Sequence, residues 1–199
     1  TFHTSDTLDV TLGFRHFSLD ATGESDMTFA LYDLNPSSGL HENKEQDTLF
    51  KLNLAYMPED NETWYATVSE GFRRGGINAV PTEGTFIEEE GWVPFNSDKV
   101  LNYEFGRKGV TKRDIYYNLS LYKIIWKDPQ LNTDTPNYSF YSVINGEEAE
   151  TQGFDIELKG SIGKLDWDLG YARNSSELTA DLFTPASIPL LYAPSGTTL

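Results

Sequence analysis

Seven stretches of this chain alternate between apolar and polar residues, and that period of two constrains the fold more than any other feature. An extended strand sends successive side chains to opposite faces, so alternation describes a sheet with one greasy side and one wet side. The stretches lie near 7–17, 48–57, 62–72, 99–109, 113–127, 144–159 and 164–178. One face carries Leu8, Val10, Leu12 and Phe14, then Phe50, Leu52, Leu54 and Tyr56, then Trp64, Ala66 and Val68. It continues with Leu101, Tyr103 and Phe105, with Ile115, Tyr117, Leu119 and Leu121, with Phe154, Ile156 and Leu158, and with Leu165, Trp167, Leu169 and Tyr171. None of these 25 positions is charged, where the chain-wide charged fraction of 23% would place about six. The opposite face carries Asp9, Thr11, Arg15, Lys51, Asn53, Thr67, Ser69, Asn102, Glu104, Asn118, Ser120, Asp155, Glu157, Asp166 and Asp168.

Alternation alone also suits a soluble sandwich of two sheets, so the connections carry the distinction. Pro58-Glu59-Asp60-Asn61, Val110-Thr111-Lys112 and Gly160-Ser161-Ile162-Gly163 are short hairpin links. The remaining links, 18–47, 73–98, 128–143 and 179 to the end, are long. Short and long connections alternate strictly, as in an outer-membrane barrel with tight turns on one rim and long loops on the other. The strands are also long enough to cross a bilayer at a tilt, about 9–11 residues or more. Tyr56, Trp64, Tyr65, Tyr116, Tyr117 and Trp167 gather near the short turns, where aromatic girdles form.

Composition removes several classes of function. Lys plus Arg is 15 against 31 Asp plus Glu, a formal net charge of −16, which opposes nucleic acid and a basic lipid-docking patch. Cysteine is absent, excluding disulfides, thiolate metal sites and a cysteine nucleophile. His3, His16 and His41 have no close metal-ligand spacing, so neither a metal nor another cofactor is expected. Aromatics are 14% of the residues, which disordered acidic chains lack. No signal peptide opens the chain at Thr1, so the expectation is a mature chain or one cut from something longer.

Four runs then resemble a known family. Glu70-Gly71-Phe72-Arg73-Arg74-Gly75-Gly76-Ile77-Asn78 resembles the EGFRPGGFN run of TonB-dependent outer-membrane receptors, with Arg74 in place of the commoner proline. Tyr103-Glu104-Phe105-Gly106-Arg107-Lys108 resembles their YELGLK strand. Trp126-Lys127-Asp128-Pro129-Gln130 resembles DYKDMQ, with Pro129 as a departure. Residues 145–158, from Asn145-Gly146-Glu147 to Ile156-Glu157-Leu158, resemble NAGEAETKGVELEL. The runs fall in the family's order over 48–178, with 8–17 as a compatible earlier strand.

The resemblance implies an all-β, antiparallel, up-and-down transmembrane barrel segment of about seven strands, open because 1–199 is a fragment. The plug domain, the segment that meets TonB and the rest of the barrel are expected to lie elsewhere. The implied function is TonB-energised transport of a scarce nutrient, most often an iron–siderophore complex, across the outer membrane of a Gram-negative bacterium. The implied partners are the TonB complex, outer-membrane lipid and a small nutrient ligand, with no enzymatic activity. A soluble acidic β-sandwich binding carbohydrate and a passive porin are the alternatives.

Long loops on a rigid scaffold are where recognition residues sit, so Arg73, Arg74, Trp92 and Tyr138 are the candidate ligand contacts. The arginines suit carboxylate or catecholate oxygens, and the rings suit a planar or sugar ligand. Trp92 reads equally as an anchor for its own loop. Gly71, Gly75 and Gly76 read as a turn needing positive φ or close backbone approach. Glu88-Glu89-Glu90, with Glu42 and Glu45, reads as a solvated acidic surface before a cation site. Glu104, Asp155, Glu157, Asp166 and Asp168 read as solvated carboxylates on the wet face before a catalytic pair.

Overall fold

The structure, a computed structural model, describes residues 1–28, 34–186 and 190–199. Its strands are β1 Phe2–Ser5, β2 Leu8–Met27, β3 Ser37–Glu59, β4 Glu62–Arg73, β5 Gly76–Ile77, β6 Pro94–Phe95 and β7 Asp98–Val110. They continue with β8 Tyr116–Lys127, β9 Gln130–Asp134, β10 Tyr141–Asn145, β11 Glu148–Ile162, β12 Leu165–Leu178, β13 Leu182–Phe183 and β14 Leu191–Ala193. Among the described residues the only helix is one 3₁₀ turn, Glu90–Trp92.

Eight strands form one antiparallel sheet in the order β1-β2-β3-β4-β7-β8-β11-β12, and the other six form three short ribbons. The eighth strand is β1, which pairs with the start of β2 and lies outside the seven stretches of alternation. At one end the links are short: Asp6-Thr7, Asp60-Asn61, residues 111–115 and Gly163-Lys164. Gly163 takes φ +65°, a conformation that two-residue hairpin turns require and that costs glycine nothing. The other end carries every long connection.

All but Ile115 of the 25 apolar positions lie on one side of the strands, and none of the 25 is buried. Phe14 is 78% exposed and Leu121 60%. No second sheet covers them among the described residues, which excludes the two-layer sandwich. The apolar band crosses the hydrogen-bonded rows diagonally. The row through Leu12 runs Leu52, Val68, Tyr103, Lys123, Gln152 and Ser175, apolar on the first four strands and polar on the last three. The row through Leu169 runs back through Leu158 and Tyr117 to Gly109 and Glu62, apolar only on the last three. A level apolar band on tilted strands slants in this way, and tilt is what lets a sheet curl towards a barrel.

The wet face is internally paired. The Asn53 amide donates to Thr67 at 2.7 Å and the Tyr65 hydroxyl to Glu104 at 2.7 Å. Lys159 bridges Glu157 at 2.7 Å and Asp168 at 3.3 Å, and the Ser161 hydroxyl donates to Asp166. Tyr65 therefore belongs to the wet face and leaves the aromatic girdle expected near the turns. Ile115, counted with the apolar face, lies in the 111–115 turn, where its carbonyl accepts from Thr111.

The largest departure from the sequence reading is at 18–47, expected as a loop. There β2 and β3 run on as a two-stranded ribbon paired from Leu8↔Tyr56 to Met27↔Ser37, leaving 28–36 as the connection. Backbone pairing sustains the ribbon, helped by opposite charges across strands such as Asp20↔Lys44. Both of its faces are polar, so the alternation fades while the strands continue. Similarly, 144–145 belong to β10 and the sixth long strand starts at Glu148.

The packed core sits beside the sheet, at its long-loop end. Val80, Trp92, Val93, Ile144, Ala149, Leu178 and Leu182 are buried together, with Trp126, Leu131 and Phe140 against them. The links 73–98 and 128–147 are thus a folded unit with its own apolar centre, carrying the ribbons β5–β6 and β9–β10.

Candidate functional site

The folded loop unit is fastened to the sheet by a few polar side chains. Arg73 ends β4 and Asp98 begins β7, and the two are register partners. The Asp98 side chain is 2% exposed and accepts from the Arg73 backbone N–H at 3.1 Å, from Arg73 Nε at 2.8 Å, from Arg73 Nη2, and from the Gln130 N–H at 3.2 Å. Arg73 Nη2 also donates to the Gln130 carbonyl at 3.2 Å, and the guanidinium lies 4.8 Å over the Trp126 ring. Arginine's planar fork serves all these partners at once, which a lysine could not. The pair closes the base of the 74–97 link and ties it to β9.

Asn78 joins the two loops higher up. Its amide donates to the Trp92 carbonyl at 2.8 Å and the Val143 carbonyl at 2.7 Å, and its Oδ1 accepts from the Val143 N–H at 2.8 Å. A buried side-chain amide with donors and acceptor all used is a rigid cross-brace. Replacing Asn78 with Ala in the complete protein should cost about 1–3 kcal/mol of local stability, because the Val143 N–H and two carbonyls lose their partner. Hydrogen exchange should show the Val143 amide losing protection while β4 and β7 keep theirs.

Two glutamates read as solvated are structural. Glu88 is 3% exposed and accepts from the Thr135 hydroxyl at 2.7 Å, the Asn137 amide at 2.9 Å and the Tyr138 N–H at 3.0 Å. A buried carboxylate needs several donors, and the 135–139 turn supplies them. Glu45, on the polar ribbon, accepts from the Gly75 N–H at 3.1 Å, the Ser97 N–H at 2.6 Å and the Ser97 hydroxyl. Gly75 and Gly76 are required by closeness and not by positive φ, correcting one half of the sequence reading. A Cβ on Gly75 would lie 2.5 Å from the Phe95 carbonyl oxygen, and one on Gly76 2.7 Å from the Phe95 ring. Lys99 contacts Asp47, ties β7 to the ribbon and holds the Asp47 carboxyl below the usual carboxylate range, chiefly through that hydrogen bond.

The four candidate contacts come together in this unit with different exposures. Trp92 is 2% exposed in the core, and Arg73 is engaged with Asp98. Arg74 is exposed, and its guanidinium makes no ion pair among the described residues, while its carbonyl accepts from Gln130 Nε2 at 2.9 Å. Tyr138 is 44% exposed, stands edge-on to Phe86, and donates its hydroxyl to the Thr85 carbonyl at 3.0 Å. A cleft of about 790 Å³ opens between the ribbon and the 73–98 loop, with Glu24, Asp26, His41, Glu42, Glu83 and Glu90 on its walls and none of the four candidates among its lining residues. No three His, Asp or Glu side chains among the described residues are grouped to hold a metal ion.

The braces Asn78, Glu88, Glu45 and Asp98 are what the sequence reading missed. Asn78 had a signal, as the last residue of the run that resembles the family. The acidic three had none, because their donors come from segments 25 to 52 residues away.

The family described as TonB dependent receptor-like, beta-barrel matches residues 1–195. The pesticin receptor of Yersinia pestis is 28% identical over 182 residues, which are 91% of this chain and 25% of that receptor. A pesticin receptor of Yersinia enterocolitica matches over the same shares. The crystal structure of the ferric yersiniabactin uptake receptor FyuA from Yersinia pestis has a TM-score of 0.73 at 23% identity, covering 98% of this chain and 28% of that one. The siderophore receptor PiuA from Acinetobacter baumannii has a TM-score of 0.66 at 14% identity, covering 97% and 27%. This chain therefore spans about a quarter of the length of the relatives it matches. The slanted apolar band, the tight turns gathered at one end and the family match over 1–195 agree: the chain belongs to the TonB-dependent receptor beta-barrel family.

Proposed function

We propose that this chain is a stretch of wall and outer loop from an outer-membrane transporter for a scarce nutrient, best suited to an iron–siderophore complex and energised through TonB. The observation that carries the reading is the braced loop unit at the rim opposite the tight turns, in a chain of this family. Outer-membrane barrels turn their short links to the periplasm and their long loops outwards, so an arriving ligand meets this unit first. Fold neighbours described as a ferric yersiniabactin uptake receptor and a siderophore receptor support the cargo class. In this reading the bare apolar face meets lipid, the paired wet face lines the lumen, and the plug and TonB contact belong to other parts of the protein.

Within the loop unit we assign ligand contact to Arg74 and Tyr138. Arg74 offers a free guanidinium to carboxylate or catecholate oxygens, and Tyr138 offers half of a ring braced by Glu88 and Thr85. Arg73 and Trp92 hold the loop that presents them.

The test is uptake of radiolabelled iron by cells carrying the complete gene, with a panel of ferric siderophores and with TonB present or deleted. Saturable uptake of one siderophore that vanishes without TonB is expected. Uptake indifferent to TonB would make the protein a passive pore and overturn the reading. Replacing 74–97 with a short Gly/Ser hairpin should abolish binding while the barrel still assembles. Because Asn78 and Glu88 lock that loop to 128–145, the same deletion should loosen the β9–β10 ribbon as well. Retained affinity after the deletion would move the binding site to the plug.

A further inference from the structure

The apolar face holds a charged pair out of keeping with its surroundings. The hydrogen-bonded row at the tight-turn side of the band runs Leu8, Tyr56, Trp64, Arg107, Leu119, Ile156 and Tyr171. Arg107 is the charged member. Its Nε donates to Glu62 Oε1 at 3.0 Å and its Nη2 to Glu62 Oε2 at 2.9 Å, a bidentate pair. The guanidinium lies 4.7 Å over the Trp64 ring and 5.3 Å over the Tyr117 ring, and Trp64 Nε1 donates to the same carboxylate. Two of five guanidinium N–H groups serve Glu62 and the Tyr117 side chain takes another, which leaves room for a further acceptor. The side chain remains 39% exposed.

A groove of about 360 Å³ leads away from this pair across β7, β8 and β11. Arg107, Leu119 and Ile156 form its near row, and Phe105, Leu121 and Phe154 its far row, deeper in the apolar band. The site thus has a charged, ring-lined end beside the tight turns and an apolar channel running towards mid-band. We propose that it binds one phospholipid of the leaflet facing the periplasm, an acyl chain in the groove and a zwitterionic headgroup on the Arg107–Glu62 pair.

Three observations select that occupant. The groove opens on the face that lipid covers, so this inference rests on the membrane reading above. Its charged end is at the tight-turn rim, where one layer of headgroups lies. The pair is neutral overall, with a phosphate acceptor site on Arg107 and an ammonium site on Glu62 beside two ring faces. A purely anionic headgroup meets the Glu62 carboxylate unfavourably, and an uncharged diacylglycerol leaves the free guanidinium N–H groups unmet.

The experiment is native mass spectrometry of the complete receptor, purified in detergent and titrated with phosphatidylethanolamine, phosphatidylglycerol or diacylglycerol of the same acyl chains. One retained phosphatidylethanolamine is expected, with diacylglycerol not retained. Arg107→Leu, which matches its row neighbour Leu119, should weaken that binding about tenfold, the worth of one charge-assisted hydrogen bond. Leu121→Trp keeps the ion pair, fills the groove and should weaken it comparably. Equal lipid retention by wild type and Arg107→Leu, or phosphatidylglycerol bound as tightly as phosphatidylethanolamine, overturns the proposal and leaves Arg107–Glu62 an ion pair only. Outer-membrane fractionation and TonB-dependent uptake of the same variants read the transport function separately. A receptor that still inserts and transports while binding no lipid sinks this inference alone.

Discussion

Arginine in place of Leu54 or Leu119 is expected to destabilise the complete barrel by about 2–4 kcal/mol, while arginine in place of Asn53 or Ser120 costs far less. Leu54 lies between Val10 and Ala66 in its row, and Leu119 between Arg107 and Ile156, both on the bare apolar side. Asn53 and Ser120 are their neighbours in sequence and point the other way, where Asn53 donates to Thr67. A guanidinium on the lipid side must shed water or drag it into the bilayer, whereas one on the lumen side stays hydrated. Reversible folding into lipid vesicles measures the four costs. Leu119→Arg should fall at the lower end, because it is nearer the turns and Arg107. Equal costs on the two faces would overturn the assignment of the faces.

Strands with one apolar and one polar face were legible because lipid on one side and water on the other write themselves into every second residue. Where both sides are wet, that writing stops. The ribbon of 18–27 and 37–47 is held by its backbone ladder, and Thr, Ser, Asp and Glu on both faces read as loop. Tyr65 shows a smaller limit of the same kind, since an aromatic suits either face until its hydroxyl finds Glu104. The loop unit was the least legible part. Tight hairpins fix register through their turns, but a 24-residue link leaves the register of β4 on β7 to be set by packing. Nothing local announces that Arg73 faces Asp98 while Arg74, the same residue type one position on, stays exposed. Glu88 and Glu45 look like ordinary loop charges until segments distant in the chain bring their donors.

Removing Arg73 should therefore act through loop order, and a paired substitution separates that from direct loss of a ligand contact. Arg73→Met leaves the Asp98 carboxylate buried with only the backbone N–H groups of residue 73 and Gln130, and should cost about 2–4 kcal/mol. The figure is set below that for a fully buried pair because the Arg73 side chain is 53% exposed and its interaction is partly screened. Asp98→Ala strips the acceptor from Arg73 and from the Gln130 N–H, and should cost a similar amount. The double variant should be less destabilised than the two single costs added together, since each single change already breaks the shared interaction. Hydrogen exchange at Gln130 and along the β9–β10 ribbon should rise in all three, with β8 and β11 unchanged. If Arg73 only braces the loop, Asp98→Ala loses substrate affinity as Arg73→Met does, although Asp98 is buried away from any ligand. If Arg73 touches the ligand, affinity falls much further for Arg73→Met than for Asp98→Ala, and the assignment of contact to Arg74 and Tyr138 alone is wrong.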